Sequence, residues 1–287
     1  MTRSSPPRSR RSYRSVLTRL EHTIRAIPSG RLLPIGEAVH GGRRYRLVAV
    51  TLTIGPAGPK RRRGRTHRPL RVCVGAGIHG DEPAGVEAIL QWLEGLPELG
   101  PCLPAAELVL FPCLNPSGYE RNRRINDDGI DLNRQYKSPR APIEVRAVRN
   151  ALARLSDGPR GQRFDLSIEF HEDVDSPGFY LYELIGHRRP IGRALITAAA
   201  KRLPINDADT IEGADAEAGI IRRDRRAVRQ RRSRWPHALY LFHLGTPHCL
   251  TFETPVSVPL DRRSVVHAEL FTLALQLSAH FRQRKGP

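Results

Sequence analysis

Four short runs of the chain hold residues whose types and spacing could carry chemistry. In RVCVGAGIHGDEP (71–83), His79 and Glu82 stand three apart in a tight turn at the end of an apolar run. An imidazole nitrogen and a carboxylate oxygen so placed can reach one metal ion, and Gly80 lets the backbone fold between them. The competing reading is a surface turn in which Glu82 caps the next helix. In FPCLNPSGYERNRRINDDGIDLNRQY (111–136), Asn-Pro, Ser-Gly and Asp-Gly turn signals are interleaved with Arg121, Arg123, Arg124 and Arg134. Such a loop suits an anionic group held by bidentate guanidinium hydrogen bonds. DLSIEFHED (165–173) delivers His171 at the carboxyl end of a β-rich run, and HCLTFETP (248–255) delivers Glu253 in the same way. A lone histidine there is more often structural than a ligand, whereas a carboxylate on a buried strand needs a partner or a function. Together, His79, Glu82 and His171 make a His2Glu set that leaves one zinc position open to water, the pattern of catalytic zinc.

Positioning these residues requires strand ends that converge. The β-rich segments are Tyr45–Ile54, Leu70–Ala76, Glu107–Cys113, Phe164–Phe170, Gly178–Leu184 and Cys249–Glu253. Helical periodicity marks Ala84–Leu96, Pro142–Leu155, Pro190–Arg202 and Arg262–Arg282. Strands interleaved with helices predict an α/β fold, a single domain with a mixed, mostly parallel sheet flanked by helices on both faces, and a site at the carboxyl ends of the strands. Tyr45–Ile54 and Leu70–Ala76 read as an antiparallel hairpin with an Arg-rich tip. Residues 1–44 read as a basic N-terminal extension, partly disordered or with one short helix over Val16–Ile27, and residues 45–287 as the catalytic domain.

In order and context the motifs HGDE, NPSGY, an Arg before N-x-x-G-I-D-L-N-R, FHE and TFE resemble the zinc carboxypeptidases of the M14 metallopeptidase family. Their relatives, the murein peptide amidases and the succinylglutamate desuccinylase and aspartoacylase group, are included in that resemblance. It implies a mixed sheet of about eight strands between helices. It also implies one zinc ion on His79, Glu82 and His171, with a zinc-activated water whose proton passes to Glu253 as general base. Arg124 takes the oxyanion-stabilising role, with Arg123 and Arg121 as close alternatives in register, and Asn133 with Arg134 clamps a substrate carboxylate. The expected activity is hydrolysis of a C-terminal peptide bond. N-acyl amino acids or cell-wall peptides are the alternative substrates, and NPSGY and GIDLNR favour the peptidase and murein-amidase branches. The family's mobile tyrosine has only Tyr240, Tyr180 and Tyr182 as candidates. Asp81, Glu172 and Asp173 are possible partners for a histidine N–H, and His243 and His248 could touch substrate. The specificity pocket is expected between about Asp209 and His248.

Composition bounds the partners. The 287 residues carry a net charge of +18, and all but four of the 47 basic residues are arginine. The excess gathers in residues 1–20, in Lys60–Arg68 and in Arg222–Arg234, leaving the rest near neutral. Such clusters raise the reading of a non-catalytic anion- or nucleic-acid-binding protein, but aromatic residues are too few beside them to form stacking platforms, so nucleic acid is not the expected partner. The third cluster lies beside the expected pocket, where it would attract acidic substrates. Cys73, Cys102, Cys113 and Cys249 show no paired spacing, and no apolar run is long enough for a membrane span. The expected setting is cytoplasmic, and the expected partner a peptide or small amide with a free carboxylate.

Overall fold

The structure, a computed structural model, describes residues 11–56, 68–156, 164–186, 188–224 and 233–283, together with residues 226 and 228. Along the chain the elements are α1 (Tyr13–Ala26), β1 (Arg31–His40), β2 (Arg43–Ile54), β3 (Leu70–Ala76), α2 (Ala84–Glu94), α3 (Leu96–Leu99), β4 (Ala106–Phe111), α4 (Pro116–Arg121), α5 (Ile143–Ser156), β5 (Leu166–Asp173), β6 (Tyr180–Ile185), α6 (Gly192–Ala199), β7 (Thr210–Ile211), β8 (Ala214–Asp215), β9 (Ile220–Arg223), α7 (His237–His243), β10 (His248–Pro255) and α8 (Leu260–Gln283).

Eight strands form one sheet in the order β1-β2-β4-β3-β5-β10-β6-β9. Its centre, β4-β3-β5-β10, is parallel, while β2 and β6 join antiparallel on either side. β3 and β5 are buried along nearly their whole length, as parallel strands covered on both faces must be. Leu166, Ile168 and Phe170 of β5 and Leu250 and Phe252 of β10 face the core shared with α1, α2, α6 and α8. Cys73 of β3 and Cys249 of β10 face the second core, with α5 and α7. This is the α/β sandwich that the sequence predicts.

Two expectations fail. β2 and β3 do not form a hairpin: β4 lies between them, antiparallel to β2 and parallel to β3. The hairpin partner of β2 is β1, joined through Gly41 and Gly42 at φ 53° and 76°. Paired positive φ values belong to the two-residue turn whose twist matches a hairpin, and glycine adopts them without strain. Of the expected Arg-rich tip, Gly55–Arg68, residues 57–67 lie outside the described residues. The boundary between residues 44 and 45 therefore falls inside a hairpin of the main sheet. Nor is the preceding helix an appendage: Tyr13, Val16, Leu20 and Ile24, spaced three or four apart, are buried in the core. The disorder expected at the extreme N-terminus concerns residues 1–10, outside the described residues.

Candidate active site

Strand register brings the distant motifs together. In the parallel pair of β5 and β10, His171 stands opposite Glu253, and both fall on the face carrying Ser167, Glu169 and Thr251. β3 lies on the other side of β5 and runs directly into the turn bearing His79 and Glu82. The Nδ1 atoms of His79 and His171 lie 2.6 Å and 2.7 Å from the two oxygens of the Glu82 carboxylate. All three residues are buried, and one ligand atom from each falls within 4.8 Å of the others. Two imidazole nitrogens converging with a carboxylate suit a zinc ion with an open position. Burial would drive the proton off both imidazoles, but the Glu82 carboxylate outweighs it and raises both pKa values. Burial likewise opposes charge on Glu82, yet His171 and His79 lower its carboxyl to about 2.

The far side of each ring is also held. His79 Nε2 lies 3.4 Å from Asp131 Oδ1, and His171 Nε2 lies 3.4 Å from Asn133 Nδ2. Burial would raise Asp131; the hydrogen bond with His79 and the charges of Arg124 and Arg134 outweigh it and hold the carboxyl below the usual carboxylate range. Asp131 was not foreseen as the histidine partner, although it stands two residues before Asn133 in the DLNR run. Of the acids considered for that role, Glu172 faces the opposite side of the sheet, paired with Arg263 and accepting from Ala84 N–H. Asp173 accepts from Tyr180 O–H at 2.9 Å.

The Asn-Pro run proves to be a tie. Asn115 caps α4 by accepting from Gly118 N–H, and its amide donates to Ile78 O and Arg124 O. One buried side chain thus fixes both the turn entering His79 and the loop carrying Arg124. Of the three arginines in that loop, Arg121 pairs with Asp127, Arg123 is exposed, and Arg124 lies 3.5 Å from Glu82 and 3.3 Å from Asp131. Contact with α4 also explains Gly80: a Cβ there would stand 1.9 Å from the backbone carbon of Gly118. Gly80→Ala is expected to destabilise the protein by about 1–3 kcal/mol. Thermal unfolding checks this, and an unchanged Tm would show that the turn and α4 can separate freely.

A cavity of about 880 Å³ opens over these residues, and His79, Glu82, Arg124, Asn133, Arg134, His171 and Glu253 all line it. Burial pushes the Glu253 carboxyl up, and Glu82 and Asp173 add to this against the pull of His171 and Arg124, to about 8. Tyr180 and Tyr182 line the cavity, whereas Tyr240 packs against Tyr136 and the Arg149 guanidinium, outside it. Glu212, Ala214, Arg223, Val228, Ala238 and Leu239 contribute from the expected specificity segment. Of the third basic cluster, Arg223 reaches the cavity while Arg222 turns to Glu217 and Glu183; Arg225, Arg229, Arg231 and Arg232 lie outside the described residues. His248 pairs with buried Glu183, and His243 lies edge-on to Trp235. Sequence reasoning missed His237. Its ring Nδ1 lies 2.8 Å from Glu169 Oε1, and its backbone N–H donates to Asn133 Oδ1.

The sequence model of the succinylglutamate desuccinylase/aspartoacylase catalytic domain matches residues 69–207, which hold all of these residues except Glu253 and the later pocket wall. A human N-acyl-aromatic-L-amino acid amidohydrolase (carboxylate-forming) is 33% identical over 128 residues, 42% of this chain. The matched segment spans 39% of that relative's length. Among solved structures, a candidate metallopeptidase from Shewanella baltica OS155 superposes with a TM-score of 0.71 at 21% identity, covering 93% of this chain and 92% of that one. A metallo-carboxypeptidase from Burkholderia cenocepacia gives a TM-score of 0.63 at 18% identity, covering 94% of this chain and 70% of that one. At these identities the superpositions speak for the fold alone, and it is the carboxypeptidase fold. The desuccinylase/aspartoacylase sequence model thus covers the first half of the site, and the fold as a whole is that of the metallo-carboxypeptidases. The resemblance read from the motifs holds, although the matching sequence model is that of the deacylase group.

Proposed function

We propose that this protein is a zinc-dependent hydrolase that cleaves an amide bond next to a free carboxylate, with a C-terminal peptide bond as its leading substrate. The observation that carries the reading is the convergence of His79, Glu82 and His171 in the lining of one cavity, with Glu253 opposite His171 in register. Zinc held by these three ligands would supply a Lewis acid and a polarised water. Glu253 takes a proton from the attacking water and passes it to the leaving amine; a carboxyl whose pKa is raised toward neutrality suits both transfers. Arg124 reaches the rim of the ligand set and stabilises the negative charge that develops on the carbonyl oxygen. Asn133 is engaged with His237 and His171, so Arg134 makes the principal contact with the substrate carboxylate. Its guanidinium donates to Asn133 O and, among the described residues, makes no contact ion pair, though its charge acts on Asp131.

Arg134→Ala is expected to raise KM for substrates with a free carboxylate by about 10–100-fold, as loss of a charge-assisted hydrogen bond does, with a smaller effect on kcat. The comparison is the same peptide with its C-terminus amidated. Equal effects on both would remove Arg134 from carboxylate recognition.

The family match favours a second reading, N-acyl amino acids as substrates. Chemically the two readings are close, because an N-acyl amino acid also presents its amide beside a carboxylate. Turnover of a C-terminal peptide, a murein peptide and an N-acyl amino acid separates them, and activity on the last alone would overturn the leading substrate. No helix among the described residues is long and apolar enough to cross a membrane. The four cysteines are free, three of them buried, which supports a reducing, cytoplasmic setting.

A further inference from the structure

Arg11 lies just before α1, in a segment that composition alone marks as a basic tail. Its guanidinium Nη1 donates to Gly80 O at 2.8 Å, and Nη2 donates to Asn122 Oδ1 at 2.6 Å. Gly80 stands between the two ligands His79 and Glu82. Asn122 is the left-handed residue that ends α4, the helix against which Gly80 packs without room for a side chain. The same guanidinium lies 5.5 Å from the centre of the Tyr119 ring. Two residues on, Tyr13 N–H donates to Glu120 Oε1 and Tyr13 O–H to Arg46 O, so the start of α1 is seated on α4 and β2. The Gly80 carbonyl belongs to the turn that the His79 O to Glu82 N–H contact closes and that the Asn115 side chain ties at Ile78 O.

We propose that Arg11 is a positioning residue of the metal centre. By forking between the Gly80 carbonyl and the end of α4, it fixes the turn that presents His79 and Glu82 at the spacing zinc requires. The N-terminal segment is then part of the active-site architecture. The inference rests on the reading of His79, Glu82 and His171 as a zinc site. A guanidinium fits the role because its planar fork makes two directed hydrogen bonds at once, which an ammonium cannot reproduce.

The test is the zinc dissociation constant, measured by chelator competition on the full chain, beside the Tm of the metal-free protein. Arg11→Ala is expected to weaken zinc binding by about 10–100-fold, the range seen when a residue that orients ligands is lost. Arg11→Lys keeps the charge and guards against a folding defect; it is expected to retain the wild-type metal-free Tm and still bind zinc more weakly. Arg19→Ala serves as control. It removes the ion pairs of α1 to Glu87 and Glu94 on α2 but leaves Arg11 in place, and its zinc affinity should match wild type. Wild-type affinity in Arg11→Ala and Arg11→Lys, with zinc lost in Glu82→Ala, would overturn the role of Arg11 and leave the zinc site standing. An equal loss in Arg19→Ala would also overturn it, showing that α1 acts through docking in general. If wild type binds no more zinc than Glu82→Ala, the zinc reading falls and the proposal with it.

Discussion

Glu82→Ala is expected to yield a folded protein that purifies without zinc and hydrolyses no amide substrate above background. Wild type should carry about one zinc per chain. The argument lies in the geometry of a single carboxylate: its two oxygens are the atoms toward which both histidine Nδ1 atoms turn, at 2.6 Å and 2.7 Å. Removing it leaves the two buried imidazoles without the carboxylate that joins them and takes one anionic ligand from the set. Glu82→Gln keeps the shape and loses the charge, and it should fail in the same way, which separates ligation from packing. His171→Ala should behave likewise. Metal analysis of the purified variants decides the matter, and unchanged zinc content in Glu82→Ala would place the centre elsewhere.

Glu253→Gln is expected to bind zinc as wild type does while kcat falls by about 10³-fold, within the range lost with a general base, or about 4 kcal/mol of barrier. Glutamine occupies the same space on β10 but cannot accept a proton. Glu253 stands opposite His171 without being one of the converging ligands, so the variant should leave metal content and KM nearly untouched. Steady-state kinetics beside metal analysis provide the check. A variant that keeps kcat would show that another group moves the proton, and one that loses zinc would show that Glu253 is itself a ligand.

The sequence reveals most clearly what lies on continuous apolar runs. β3, β5 and β10, and α2, α5 and α8, were all legible because burial on one or both faces writes itself into periodicity. β1 was not, since Pro34 and Gly36 interrupt RLLPIGEAVH and the sheet tolerates them through a shift of register. α4 reads as a turn in the sequence because Asn115 and Pro116, strong turn residues, are also the preferred opening of a helix. β7, β8 and β9 are two to four residues long, too short for a pattern. At the site, His79 and Glu82 stand in a glycine-marked turn, His171 and Glu253 near strand ends, and Arg124, Asn133 and Arg134 in the stretch after the Asn-Pro run, all places that motif and turn signals mark. Their supports carry no such mark. His237 meets Asn133 and Arg11 meets Gly80 across gaps of 104 and 69 residues in sequence, and only the packing of α7 and α1 creates those contacts.

α7 combines two properties within three residues. Its first residue, His237, is fully buried against Glu169 and bonded to Asn133, whereas Ala238 and Leu239 line the cavity. The helix is therefore pinned at one residue and open to the cavity at the next two. For protein engineering this is a ready-made randomisation site: libraries at positions 238 and 239 can resize the cavity wall while the clamp at 237 keeps the helix in its seat. New substrate ranges could be screened there without touching His79, Glu82, His171 or Glu253.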